Sequence, residues 1–280
     1  MKKSKLMKIA IGVIVALLSV FTIYGLYNPL SVSEITVSSE AIDNPVRIAL
    51  ISDLHSCKYG NKQVKILDAI DKQNPDLICL AGDIFDDKRP NDNSEVFIAQ
   101  ISEKYPCYYV TGNHECRSGT QAFQEKMDIL EKYGIIRLSN ESKEIEANGQ
   151  KINICGVDDP EFDLYENNYH ISDALYGIQK SLPDGRFSLL LSHRPEYFSF
   201  YVDYGFDLTL CGHAHGGQWR IPGLLNNGLI APNQGLFPKY TTGRHTAGNS
   251  TMIVSRGLAK ESTLVPRFYN RPEIVIIKIQ

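Results

Sequence analysis

Short apolar runs and amphipathic stretches follow one another along the first half of the chain. Buried, β-branched runs predict strands, and apolar residues at helical spacing among polar ones predict helices. Three strand–loop–helix repeats result, with strands at residues 46–51, 76–81 and 106–111 and helices at residues 61–73, 94–104 and 121–133. Because parallel strands need crossover connections of this kind, the repeats predict a parallel sheet covered by helices.

The second half of the chain is richer in strand-like runs than in helices. Asn148 and Gly149 form a turn signal between two such runs, which predicts a hairpin. One amphipathic helix is predicted at residues 171–181. Strands are predicted at residues 135–138, 143–146, 151–157, 187–191, 207–210, 251–255 and 273–279. Together the two halves predict an α/β fold, a sandwich of two sheets covered by helices and forming one domain.

A long apolar run precedes these elements. Residues 1–8 hold four lysines, and residues 9–27 contain no charge. At about 1.5 Å per residue this run makes a helix of about 28 Å, close to the roughly 30 Å of a bilayer core. Tyr24 and Tyr27 fall where an interfacial aromatic belt is expected, and the lysines precede the run. We therefore expect an uncleaved transmembrane signal anchor, although a cleaved signal peptide and a buried soluble helix stay open.

The anchor defines the predicted organisation of the chain. Residues 1–8 are a basic N-terminus on the cytoplasmic side of a cell membrane, and residues 9–27 are the single membrane span. Residues 28–45 are a stalk that includes a short strand, and residues 46–280 are the main domain on the extracytoplasmic side. The net charge is −3 without a long block of either sign, so no nucleic-acid partner is indicated.

Six cysteines bear on the extracytoplasmic placement. No CxxC pair occurs, which gives no support to a zinc knuckle or a thioredoxin-type site. Cys57 and Cys116 each follow a polar motif by two residues or fewer, and a disulfide between them stays open. Buried free thiols are the expectation for the cysteines in or beside predicted strands, namely Cys79, Cys107, Cys155 and Cys211.

Five short polar motifs each come at the end of an apolar run. Taken singly, each motif is also typical of a turn or a helix cap. The carboxyl ends of parallel strands meet at one edge of a sheet, where α/β proteins usually bind ligands, so we expect the motifs to converge. The five are Asp53-Leu54-His55, Gly82-Asp83, Gly112-Asn113-His114-Glu115, Ser192-His193 and Gly212-His213-Ala214-His215.

The side chains of these motifs are the ligands that a two-metal site needs. Carboxylate, imidazole and amide oxygen suit divalent ions such as Zn, Mn and Fe. Two ions about 3.5–4 Å apart need a bridging carboxylate between them. Asp83 is the natural bridge because it lies on the middle of the first three loops. The sequence therefore predicts a dinuclear metal centre.

The ordered motifs resemble the D-x-H, G-D, G-N-H-E/D, H and G-H-x-H pattern of the calcineurin-like metallophosphoesterase superfamily. The resemblance covers residues 46–280, and the runs at 212–218 and 255–258 are similar to a membrane-anchored bacterial branch. It implies a four-layered α/β/β/α sandwich and a catalytic domain at residues 46–280. It also implies one metal ion on Asp53, His55, Asp83 and His215, and a second on Asp83, Asn113, His193 and His213.

The resemblance further implies hydrolysis of a phosphoester by metal-activated hydroxide. His114 resembles the family's non-ligand histidine, which contacts the phosphate and protonates the leaving oxygen. Glu115 is then expected to orient that imidazole. Arginines are candidates to bind substrate phosphate, with surface or structural ion pairs as the alternative for each. The candidates are Arg194 and Arg256, with Arg220 and Arg267 beside them.

The motifs leave the substrate open. We expect a phosphodiester or pyrophosphate-type bond, with a phosphomonoester as the alternative and a non-catalytic metal-binding scaffold or a two-metal amidase as more distant ones. Membrane tethering favours a lipid-linked or cell-envelope phosphoester, because the anchor raises the local concentration of such substrates. Relatives that cleave pyrophosphate bonds of nucleotide-linked lipid precursors work on the cytoplasmic face, against the orientation expected here.

Overall fold

The computed structural model describes residues 2–165, 168–183, 185–260 and 265–280. Its helices are α1 (Lys2–Leu26), α2 (Val64–Asp71), α3 (Asp92–Ser102), α4 (Asn113–Cys116), α5 (Thr120–Lys132), α6 (Ile171–Ser181) and α7 (Phe198–Asp203). Its strands are β1 (Ser31–Val37), β2 (Val46–Ile51), β3 (Leu77–Ala81), β4 (Cys107–Val110), β5 (Ile136–Arg137), β6 (Glu141–Ala147), β7 (Gln150–Gly156), β8 (Ser188–Leu191), β9 (Leu208–Cys211), β10 (Ile230–Ala231), β11 (Gly235–Leu236), β12 (Gly243–Ala247), β13 (Ser250–Val254) and β14 (Glu273–Ile279).

Two six-stranded sheets form the body of the protein. The first has the strand order β1-β14-β2-β3-β4-β5, and β2 to β5 are parallel as the repeats predicted. The second has the order β12-β13-β9-β8-β7-β6, with β7, β8, β9 and β13 parallel. The Asn148–Gly149 turn joins the antiparallel pair β6 and β7, as expected. Strands β10 and β11 form a separate two-stranded hairpin.

Three apolar layers separate the sheets and helices. The largest lies between the two sheets, where Leu50 and Val275 of the first face Leu189 and Ile253 of the second. A second layer packs the outer face of the first sheet against α2, α3 and α5. A third packs the second sheet against α6 and α7. Two sheets with helices on both outer faces make the α/β/β/α sandwich, so the predicted fold class is confirmed.

The segment predicted as a stalk contributes a strand to the first sheet. β1 runs parallel to β14 over all seven of its residues, from the Ser31 pair to the Val37 pair. Exposed positions alternate with half-buried or buried ones along β1, because it is an edge strand with one face exposed. Part of residues 28–45 is thus integrated in the sheet rather than free of it.

α1 is the helix, among the described residues, that is long and apolar enough to cross a membrane. Its apolar side chains, from Leu6 to Leu26, are exposed. A helix that belongs to the protein's own core buries such a surface, so the alternative of a buried soluble helix is wrong. All six cysteines fall within the described residues, and each is buried and free, including Cys57 and Cys116.

Candidate metal centre

All five motifs lie on loops that directly follow parallel strands. Asp53 comes after β2, Asp83 after β3 and Asn113 after β4, at the carboxyl edge of the first sheet. His193 follows β8 and His213 follows β9, at the same kind of edge in the second sheet. The structure brings side chains from both edges together, as the sequence predicted.

The first cluster joins Asp53, His55 and His215. His215 Nε2 lies 3.7 Å from Asp53 Oδ1, and His55 Nε2 lies 4.0 Å from the same oxygen. All three residues are buried, and their ligand atoms lie within 4.8 Å of one another. Such a spacing of one carboxylate and two imidazoles suits a single divalent ion.

The second cluster joins Asp83, His193 and His213. His193 Nε2 lies 3.1 Å from Asp83 Oδ2 and 3.2 Å from His213 Nδ1. These three residues are also buried, with ligand atoms within 4.8 Å of one another. The second cluster therefore repeats the donor set of the first, with one carboxylate and two imidazoles.

Asp83 faces both clusters through one oxygen. Its Oδ2 lies 3.5 Å from His55 Nε2 in the first cluster and 3.1 Å from His193 Nε2 in the second. Its other oxygen, Oδ1, accepts a hydrogen bond of 2.8 Å from the backbone N–H of His114. The carboxylate is thus fixed on one side and directed at both clusters on the other.

Several buried side-chain nitrogen and oxygen atoms near the two clusters have no hydrogen-bond partner within the described part of the chain. They are His55 Nε2, Asp83 Oδ2 and Asn113 Oδ1. Although His193 lies close to Asp83 Oδ2, the contact lacks hydrogen-bond geometry. Leaving such a group buried and unpaired costs about 1–3 kcal/mol, more if it is charged. Cations satisfy lone pairs of this kind, so the donor set fits divalent metal ions.

Hydrogen bonds outside the clusters fix the imidazole tautomers. His193 Nδ1 lies 2.8 Å from the carbonyl oxygen of Ala81, so the Nδ1–H donates and Nε2 is the ring nitrogen that faces the second cluster. His55 Nδ1 is similarly held, 3.2 Å from Asp86 Oδ2. His213 is turned the other way: its Nε2 lies 2.8 Å from Asn233 Oδ1 and 3.1 Å from Arg194 Nη1, and its Nδ1 faces the second cluster.

The loops hold their ligand residues in a strained backbone conformation. Asp53, His55, Asp83, His213 and His215 all have φ between 46° and 67°, in the left-handed region that non-glycine residues rarely adopt. Strain of this kind costs on the order of 1–3 kcal/mol per residue and clusters at functional sites.

Two glycines let the loops approach one another. A Cβ on Gly112 would come within 2.2 Å of Asp83 Oδ1, and one on Gly212 within 2.5 Å of Asp53 Oδ2. No side chain fits at either distance, so these glycines are required by close packing around the carboxylates.

Burial and the neighbouring charges set the ionisation of the site. Burial, reinforced by His193, holds the pKa of His213 well below its usual value, and burial together with His55 does the same for His215. Neutral imidazoles are the form that binds metal ions. Burial also lowers the pKa of His193, but the Asp83 carboxylate outweighs it and raises that pKa to about 10. A metal ion at the second cluster therefore has to displace a proton from His193.

His114 lies at the open side of the centre. Its side chain is 25% exposed, whereas that of His55 is 1% exposed. His114 Nδ1 lies 2.7 Å from Asp87 Oδ1 and 4.0 Å from Asp86 Oδ2. Its Nε2 is thus the ring nitrogen left to meet a substrate. His114 also forms, with His55 and Asp86, a third group of potential ligand atoms within 4.8 Å of one another.

Glu115 does not orient His114, against our expectation. Its Oε2 accepts hydrogen bonds from the backbone N–H groups of Asp83 and Gly112, and its Oε1 accepts one from Phe85, each at 2.9 Å. The side chain is fully buried. Glu115 therefore fixes the loop that carries Asp83, and the carboxylate that holds His114 belongs to Asp87.

Replacing Glu115 by alanine is expected to destabilise the protein. Three buried backbone N–H groups lose their acceptor, and each charge-assisted bond is worth about 1.5–3 kcal/mol. Because burial of the carboxylate offsets part of this, we expect a net loss of about 2–4 kcal/mol in the free energy of unfolding. Urea unfolding of Glu115→Ala measures the loss, and Glu125→Ala, exposed on α5, is the matched control. Equal stability of the two variants would refute the supporting role of Glu115.

The arginines predicted to bind phosphate are used within the protein. Arg194 is buried and donates to both carboxylate oxygens of Asp159, with Nη1 also donating to Asn233 Oδ1 at 2.7 Å. Arg256 donates from Nε to Glu273 Oε2 at 2.6 Å. These contacts agree with the ion-pair alternative for both residues, and Nη1 of Arg194 also lies 3.1 Å from Nε2 of His213 in the second cluster. Binding of substrate by Arg194 and Arg256 stays a prediction.

The further candidates are similarly placed. Arg267 is buried and donates from Nε to the carbonyl oxygen of Ala259 at 2.6 Å. Arg220 is partly buried, and its Nη1 lies 3.5 Å from the carbonyl oxygen of Gly216. Arg267 nevertheless lies near the first cluster, because its charge adds to burial and to His55 in lowering the pKa of His215.

Sequence reasoning missed the residues that hold the ligands in place. Asp86 and Asp87 follow Asp83 by three and four residues, so a search for carboxylates just beyond each motif would have found them. Asn233 and Asp159 are distant in sequence from the residues that they contact in the fold, and no local sequence pattern marks either one.

The chain is similar to known phosphoesterases. A sequence model of the calcineurin-like phosphoesterase family matches residues 46–217, a span that includes all five motifs. The metallophosphoesterase YkoQ of Bacillus subtilis strain 168 is 28% identical over 237 residues, which cover 84% of this chain and 83% of YkoQ. The phosphodiesterase YaeI of Escherichia coli strain K12 is 28% identical over 240 residues, with 84% and 82% covered. A transmembrane protein with a metallophosphoesterase domain from Danio rerio is 26% identical over 214 residues, which cover 71% of this chain and 48% of that protein.

Proposed function

Because the chain belongs to the calcineurin-like phosphoesterase family, we propose that it is a phosphodiesterase with a dinuclear metal centre. The observation that carries the proposal is the single oxygen of Asp83, which faces His55 in one cluster and His193 in the other. A carboxylate in this position is expected to bridge two ions. That the chain is a metal-dependent phosphoesterase follows from the family and the two clusters together.

Seven side chains are proposed to hold the ions. Each cluster provides a carboxylate and two imidazoles, and Asp83 is shared between the ions. Asn113 is assigned to the second ion because its Oδ1 is buried without a partner in the described structure. The first set is Asp53, His55, Asp83 and His215, and the second is Asp83, Asn113, His193 and His213. Manganese, zinc and iron all suit these donors.

The residues around the ions then have separate tasks. When bound, the ions supply Lewis-acid activation of water and of the phosphoryl oxygens. His114 presents Nε2 to the substrate and holds the proton that the leaving oxygen needs, because Asp87 occupies its Nδ1. Glu115 keeps the Asp83 loop in place through backbone hydrogen bonds.

A diester suits the charges beside the centre better than a monoester. A phosphomonoester dianion needs one more positive charge than a diester monoanion. Arg194, which follows His193 directly, and Arg256 are already neutralised by Asp159 and Glu273. The similarity to the phosphodiesterase YaeI supports the same choice.

We further propose that α1 anchors the enzyme in a cell membrane with the catalytic domain outside the cytoplasm. The support is the lysine-rich start, the length of the apolar helix and its exposed side chains. A lipid-linked or cell-envelope phosphoester is the corresponding substrate class, since the anchor keeps the site near such molecules.

Hydrolysis of paired model substrates tests the proposal. Purified full-length protein, loaded with Mn, Zn or Fe, is assayed on bis(p-nitrophenyl) phosphate and on p-nitrophenyl phosphate. We expect kcat/KM for the diester to exceed that for the monoester by about tenfold or more, because an unpaired phosphate charge costs on the order of 1–3 kcal/mol. Metal content, measured on the same samples, is expected to approach two ions per chain. A faster monoester would overturn the diester assignment, and bound metal without hydrolysis would favour the scaffold.

A further inference from the structure

The end of α1 is seated directly on the main domain. Gly25 is buried, and a Cβ there would lie 2.3 Å from the ring of Phe268. Tyr269 donates from its backbone N–H to the carbonyl oxygen of Gly25 at 2.7 Å and from its hydroxyl to that of Phe21 at 3.0 Å. The C-terminal end of α1 is therefore docked on the domain at Phe268 and Tyr269, and the surface next to this contact adjoins the end of the proposed membrane span.

Aromatic contacts continue from Phe268 to Trp219. The rings of Phe268 and Trp219 lie 5.6 Å apart, and the backbone N–H of Arg220 donates to the carbonyl oxygen of Phe268 at 2.9 Å. Trp219 is 44% exposed. Tryptophan at this level is typical of a membrane–water interface, where its amphipathic ring is favoured.

Trp219 begins a segment with an unusually apolar exposed surface, residues 219–240, which we call the apolar loop. Leu224 is 75% exposed and Phe237 is 69% exposed, and the two line the same surface cavity. Ile230 and Leu236, paired across the β10–β11 hairpin, are exposed as well. Phe237 has a φ of 54°, a strained conformation for a bulky residue. Adjacent exposed apolar residues of this kind mark an interaction surface.

The charge of the loop points to its partner. The apolar loop contains Arg220 and Lys239 and no acidic residue, and the sequence has no aspartate or glutamate from residue 208 to residue 260. Basic side chains beside exposed leucine, phenylalanine and tryptophan are the composition of segments that lie in the headgroup region of anionic bilayers.

The apolar loop also contacts the metal centre. Its Asn233 lies 2.8 Å from Nε2 of His213, and the backbone N–H of Leu229 donates to the carbonyl oxygen of Gly217 at 2.9 Å. Any surface that the apolar loop binds therefore lies close to His213 of the second cluster.

We infer that the apolar loop is a second membrane contact, which inserts Trp219, Leu224 and Phe237 into the headgroup region of the bilayer that α1 crosses. This contact holds the metal centre against the lipid surface. The inference rests on the proposed function in two respects: α1 crosses a bilayer, and the substrate is a phosphoester within reach of lipid headgroups. The partner of the apolar loop is the bilayer, because the loop adjoins the site where α1 packs on the domain. Its basic residues also match the charge of anionic lipid headgroups.

Fluorescence tests the inference, because Trp219 is the single tryptophan of the chain. Two full-length variants each carry one indole, Trp219→Phe with Phe237→Trp, and Trp219→Phe with Leu164→Trp. Leu164 is 67% exposed and lies outside the apolar loop, so it is the matched control for Phe237. Both are reconstituted in nanodiscs of phosphatidylcholine and phosphatidylglycerol that contain nitroxide-labelled lipid, and thermal unfolding verifies that each is folded.

The nitroxide lipid is expected to quench the indole at position 237 several-fold more than the indole at position 164, and aqueous acrylamide to show the reverse order. Equal acrylamide quenching at both positions would overturn membrane docking. Shielding of position 237 from both quenchers would overturn it too and would assign the surface to a protein. Hydrolysis of bis(p-nitrophenyl) phosphate, measured on the same nanodiscs, separates the two proposals: activity without lipid quenching rejects only docking, and lipid quenching without activity rejects only the proposed function.

Discussion

The Asp83→Asn protein is expected to lose both metal ions and nearly all hydrolysis together. Asp83 Oδ2 faces His55 at 3.5 Å and His193 at 3.1 Å, so removing its charge affects both clusters at once. Without the bridge, two cations in a buried site repel each other, and at about 4 Å this costs several kcal/mol at an effective dielectric constant of about 20. We therefore expect kcat/KM to fall by about 10³-fold or more, since each 1.4 kcal/mol is about a factor of ten.

Metal analysis and a matched variant make this result specific. Asp128→Asn removes one carboxylate from the exposed face of α5 and is expected to keep full metal content and activity. Thermal unfolding in the presence of a chelator shows whether Asp83→Asn still folds, so that loss of metal is not confused with loss of structure. A variant that retains two ions per chain would contradict the bridging role, even if its activity were low.

The positions of the motifs could be predicted because the strands before them are strongly apolar. β2, β3, β8 and β9 are buried on both faces, and the polar residue that ends each run is visible in the sequence. The convergence of the motifs within each sheet followed from parallel pairing, which places the carboxyl ends of the parallel strands at one edge of their sheet. This is why the metal-ligand candidates were found without any knowledge of distances.

Edge strands and supporting contacts were harder to predict. β12 contains arginine, histidine and threonine and has mainly exposed or half-buried residues, so no apolar pattern marks it. β1 is recognisable only in part, because its outer face is exposed. Glu115 was assigned to His114 as its neighbour in sequence, whereas its hydrogen bonds run to the backbone of another motif. Contacts of that kind depend on the folded loops and leave no local pattern.

His114→Ala is expected to lower turnover strongly on a diester with an alkyl leaving group and to leave metal content unchanged. His114 is held by Asp87 at 2.7 Å, and it belongs to neither of the two clusters that join Asp53 and Asp83 to their histidines. Loss of a general acid typically costs about 10²–10⁴-fold in rate. The matched control is His170→Ala, an exposed histidine before α6, which is expected to keep full activity.

The leaving group distinguishes proton donation from other roles of His114. A p-nitrophenolate leaves without a proton, so His114→Ala is expected to lose much less activity on bis(p-nitrophenyl) phosphate than on a diester with an alkyl leaving group. Asp87→Asn is expected to show the same dependence on the leaving group with smaller losses of activity. The reason is that Asp87 only positions the imidazole of His114 through Nδ1. If both substrates lost activity equally, His114 would act on the phosphoryl oxygens instead. If metal were lost with activity, His114 would be a ligand, and the site would have to be assigned again around the His55, Asp86 and His114 group.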